Sequence, residues 1–69
     1  MIEIDANGLS CPEPVILLKR AMASGGPIRI SVDSQTSAAA CGRFAESKNY
    51  SAETVKSGGS YVLTLVKNE

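Results

Sequence analysis

The sequence predicts a two-layer α/β sandwich in the order strand, helix, strand, helix, strand, strand, with both helices on one face of a mixed four-stranded sheet. Three observations carry this. Two short apolar runs at period two are each followed by a run at helical period. A Gly-Gly pair then separates two more strand-like runs, which is a hairpin signal. The chain has 69 residues, 43% hydrophobic and 20% charged, which suits one core and excludes a second domain. One domain over residues 1–69 is expected.

Ile2 and Ile4 alternate with Glu3 and Asp5, so the first strand spans about residues 1–5 and buries one face, until Asn7-Gly8 breaks the pattern. From Pro12 to Ser24, Val15, Leu18, Ala21 and Met22 recur at helical spacing. Lys19 and Arg20 fall late enough to complement the helix dipole, and Gly25-Gly26-Pro27 stops the helix. Ile28, Ile30 and Val32 alternate with Arg29 and Ser31 in the second strand, which Asp33-Ser34 closes with residues suited to turns and caps. The second helix runs from about Thr36 to Lys48 on a stripe of Ala38, Cys41, Phe44 and Ala45, and Asn49 suits its end. Gly42 inside it costs about 1 kcal/mol relative to alanine, and close approach to the sheet or first helix is the expected reason. Runs at about 50–56 and 61–67 flank Ser57-Gly58-Gly59-Ser60 as an antiparallel ribbon.

Seven basic side chains balance seven acidic ones, so no net field draws the protein to nucleic acid or an anionic membrane. Met1-Ile2-Glu3-Ile4-Asp5 lacks the basic start and apolar stretch of a secretory signal, so a cytoplasmic location is expected. Two cysteines are too few for a disulfide scaffold and are read as thiols. With no histidine and no tryptophan, Cys-His proteolysis and imidazole-based metal or haem sites are excluded. Isolated cations such as Lys19, Arg20 and Arg43 read as a solvated face.

The chemistry concentrates at Cys11. The segment Asp5-Ala6-Asn7-Gly8-Leu9-Ser10-Cys11-Pro12-Glu13-Pro14 joins the first strand to the first helix with a glycine and two prolines. Pro12 suits the first helical position and Pro14 the first turn, since those N–H groups have no intrahelical acceptor to lose. Cys11 then falls near the N-cap, where the helix dipole and an unpaired N–H favour its thiolate. The prolines remove donors and Glu13 adds negative charge, which makes that effect modest. Cys41, in the apolar stripe beside Phe44, reads as a buried, inert thiol, with a Cys11–Cys41 redox pair as the less favoured alternative. Asp33 either caps the second helix or holds the Cys11 loop, with the cap favoured.

The run Asp5-x-x-Gly8-Leu9-x-Cys11-Pro12-x-Pro14 resembles the TusA/SirA family of sulfur carriers, and the resemblance covers essentially the whole chain. It implies that Cys11 accepts sulfur as a persulfide from a donor protein, of desulfurase or rhodanese type, and relays it to an acceptor protein. Gly8, Pro12, Glu13 and Pro14 would support that cysteine, with Asp33 as a further support. It also implies a monomer with no bound cofactor, no metal, no direct nucleic-acid contact and no membrane contact. Arg43-Phe44-Ala45-Glu46-Ser47-Lys48 looks more like the branch called YedF, associated with selenium metabolism. Two rival readings of other classes are a thiol redox or regulatory binding module that transfers no sulfur, and an RNA-binding domain of similar architecture. Zero net charge and few aromatic residues argue against the second.

Overall fold

The computed structural model of the protein describes residues 2–10 and 13–68. Its elements follow the expected order: β1 (Ile2–Asp5), α1 (Glu13–Met22), β2 (Ile28–Val32), α2 (Gln35–Ser47), β3 (Tyr50–Ser57) and β4 (Ser60–Lys67). The sheet order is β1-β2-β4-β3. β1 runs parallel to β2, while β4 pairs antiparallel with both β2 and β3.

The period-two pattern of each strand sorts side chains between two faces. Ile4, Ile30 and Leu63 form one row across β1, β2 and β4, and Ile2, Ile28, Leu65 and Ala52 form the next. These rows meet Leu18 of α1 and Ala38, Cys41 and Ala45 of α2 in one core. Val15, Ala21, Met22 and Phe44 pack against its edge, so both helical stripes face where their spacing points. The opposite sheet face is left open and carries the exposed Glu3–Arg29 pair at 3.4 Å, a contact of little energetic weight.

The termini of the elements have local causes. The last turn of α1 tightens through Ser24 N–H to Ala21 C=O and Gly25 N–H to Met22 C=O, and Gly25 turns the chain at φ +77. After α2, Asn49 takes φ 67, the left-handed cap conformation, and its N–H bonds the Glu46 carbonyl. Two readings are corrected. Ser34, not Asp33, is the N-cap of α2, accepting the Ser37 N–H at 3.2 Å. Gly42 is not a point of close approach, because a Cβ added there meets nothing within 4 Å. It faces an open groove between α2 and the sheet, shared with Ala38, Ala39, Thr54 and Tyr61.

Candidate functional site

Topology gathers the chemistry-bearing segment at one pole. Because β1 and β2 are parallel, their C-terminal ends lie side by side, and the antiparallel β4 brings the β3–β4 hairpin tip to the same end. The β1–α1 loop leaves this pole, and both helices begin there.

The loop is built from local turn chemistry and then tied down from outside. Ala6 is fully buried, and its N–H bonds the Ser31 carbonyl at 2.8 Å, extending the β1–β2 pairing by one residue. A β-turn follows, with the Leu9 N–H on the Ala6 carbonyl and Gly8 at φ +82, a value that favours glycine at the third position of a type II turn. The Asp5 carboxylate accepts the Asn7 N–H at 3.1 Å and the Asn7 side-chain amide at 2.9 Å, an Asx turn. Beyond the turn, Leu9 packs on the core, and the Glu13 N–H that opens α1 bonds the Ser10 carbonyl at 2.9 Å. Pro14 is fully buried in the first turn of α1.

Two longer-range contacts fix this loop against the sheet. The Asp33 carboxylate accepts the Gly8 N–H at 2.7 Å across 25 residues of sequence, which makes Asp33 a loop anchor. From the hairpin tip, the Ser60 hydroxyl donates to the Asn7 side-chain oxygen at 3.0 Å. Gly8, Glu13, Pro14 and Asp33 therefore lie at this one pole, whereas Cys11 and Pro12 lie outside the described residues. Cys41 sits fully buried in the core on α2.

The sequence model of the family described as Sulfurtransferase TusA matches residues 2–67. The chain belongs to the TusA family. A crystal structure of a SirA-like protein from Desulfitobacterium hafniense is similar to it at a TM-score of 0.91 and 36% sequence identity, covering 100% of each chain. No curated protein matches the chain. Membership in the TusA family points to a role in sulfur carriage.

In this TusA-family chain, sequence reasoning assigned Asp5, Asn7 and Ser60 no part in holding the loop, although all three fall in its motif or turn segments. The first two carry a legible signal, since aspartate two residues before a turn residue commonly accepts its N–H. Ser60 carries none, because its partner is 53 positions away. Among the described residues no group of three or more cysteine or acidic side chains is arranged to hold a metal ion. No helix is long and apolar enough to cross a membrane.

Proposed function

We propose that the protein is a sulfur carrier in which Cys11 accepts a sulfane sulfur and relays it to a second protein. The observation that carries this reading is the family match across residues 2–67, in a chain whose run Cys11-Pro12-Glu13-Pro14 leads from the loop after its first strand into the first turn of its first helix. The pinned flanks support it: Asp33 and Ser60 hold the loop that precedes Cys11 in sequence, and Pro14, which follows it, is buried in the first turn of α1.

The chemistry balances without a redox partner. The Cys11 thiolate attacks the outer sulfur of a donor cysteine persulfide, the donor S–S bond breaks, and the donor thiolate leaves. The outer sulfur of the resulting Cys11 persulfide is then attacked by an acceptor thiolate, which returns Cys11 as the leaving thiolate. Neither step needs a cofactor. Both need an accessible sulfur rather than a deep pocket; on this reading the protein is a cytoplasmic, single-domain monomer that meets a desulfurase- or rhodanese-type donor and then an acceptor. The exposed Arg43, Glu46 and Lys48 of the YedF-like stretch belong to the surface those partners see, and on that reading the same thiol serves selenium handling.

The test is to load the reduced protein with a cysteine desulfurase and cysteine and to measure intact and peptide masses. A gain of one sulfur atom is expected on the Cys11 peptide, retained in Cys41→Ala and lost in Cys11→Ala. A Cys11 that stays unmodified with desulfurase and with polysulfide, or that only forms mixed disulfides, would overturn the carrier reading in favour of a redox or binding module.

A further inference from the structure

The zero net charge conceals an uneven distribution. Asp5, Glu13 and Asp33 outnumber Lys56 at the pole of the β1–α1 loop and hairpin tip, while at the other pole Lys19 and Arg20 at the end of α1, Lys48 after α2 and Lys67 at the end of β4 outnumber Glu46. At that second pole a cleft of about 300 Å³ opens between the last turns of both helices, the start of β3 and the end of β4. Met22, Phe44 and Tyr50 supply its apolar lining, and Lys19, Lys48 and Lys67 the polar part; among the described residues no acidic side chain lines it. Among the described residues none of the three lysines forms an ion pair. The Lys48 ammonium instead lies 5.7 Å from the centroid of the Phe44 ring, a cation–π contact.

We propose that this cleft grips an acidic segment of a partner protein, taking one aliphatic or aromatic side chain against Met22, Phe44 and Tyr50 while flanking carboxylates meet the three ammonium groups. Arg20 and Arg43 do not line it, so the geometry selects among cations that look alike in the sequence. A protein segment fits better than a single-stranded nucleic acid. The apolar part of the cleft, made by Met22, Phe44 and Tyr50, has room for one side chain and does not offer the row of ring faces on which successive bases stack. A balanced chain also lacks the summed field that polyphosphate binding exploits. The proposal extends the carrier reading by giving a partner a hold at the pole opposite the β1–α1 loop, and its test uses no sulfur chemistry.

The experiment titrates the isotope-labelled protein, as wild type and as Cys11→Ala, with an acetylated ten-residue peptide of glutamates around one central tryptophan, and follows backbone amide shifts. Parallel titrations use a lysine peptide with the same tryptophan and a single-stranded oligothymidylate. Shifts at Met22, Ala23, Phe44, Lys48, Tyr50 and Lys67 with the acidic peptide alone are expected in both proteins. The Kd should weaken at least about tenfold in the folded Lys19→Gln/Lys48→Gln/Lys67→Gln variant, as removal of complementary charge requires, and should weaken as salt shortens the screening length. No shifts, shifts confined to the β1–α1 loop, equal response to the lysine peptide, preference for the oligothymidylate, or self-association of the chain would each overturn the proposal. Because sulfur loading is read separately by mass, an empty cleft in a protein that loads Cys11 sinks only this inference.

Discussion

Asp33 and Ser34 are adjacent in sequence, similar in propensity, and placed in different work by the fold. Ser34 spends its hydroxyl on the Ser37 N–H, so Ser34→Ala should destabilise the protein by about 1 kcal/mol, as loss of an N-cap does. Asp33 reaches out of its own element to the Gly8 N–H. A charge-assisted bond of this type is worth about 1.5–3 kcal/mol when sheltered, but Asp33 is exposed, so about 1 kcal/mol is expected here. The two substitutions therefore look alike in urea unfolding and should separate in sulfur transfer. Asp33→Ala should slow persulfide loading several-fold, Asp33→Asn, which keeps an acceptor, should restore part of the rate, and Ser34→Ala should leave it near wild type. Equal loading rates in all three would remove Asp33 from any positioning role.

At the scale of elements, what could be read in the sequence was what repeats with a short period. Strands and helices matched within about two residues at each end because alternation and helical stripes are local and redundant. The Gly25 stop, the Asn49 cap and the Ser57–Ser60 hairpin matched because positive φ restricts residue choice. The order β1-β2-β4-β3 and the Ser60–Asn7 contact depend on which faces meet, which no local pattern states. Gly42 shows the same boundary: its presence in α2 was plain, but whether something packs there was a question about the sheet. Since a Cβ there meets nothing within 4 Å and Gly42 has no positive φ, Gly42→Ala should raise stability by about 1 kcal/mol through helix propensity and a less flexible unfolded chain. A higher urea midpoint with an unchanged slope is the expected result; a lower midpoint would mean that the groove depends on the space glycine leaves.

The whole molecule is small enough that one core position can decide whether it folds. For a chain of this length, ordinary stability per residue gives roughly 3–10 kcal/mol in total. Ile30 lies fully buried on β2 between Ile4 and Leu63, in the row that joins three strands beneath the helices. Truncating such a residue to alanine costs about 2–5 kcal/mol, because the lost transfer energy is joined by a cavity that a two-layer core cannot readily close. Ile30→Ala is therefore expected to consume much of the total stability, and Ile30→Val only about 1 kcal/mol, or about 4–8 °C in Tm for a domain of this size. Val66, half-exposed on the open sheet face, supplies the contrast, and Val66→Ala should stay within about 0.5 kcal/mol of wild type. Thermal unfolding followed by circular dichroism separates these outcomes. If Val66→Ala lost as much stability as is expected of Ile30→Ala, the open face would be covered in solution by another chain, and the two-layer description of the fold would need a third layer.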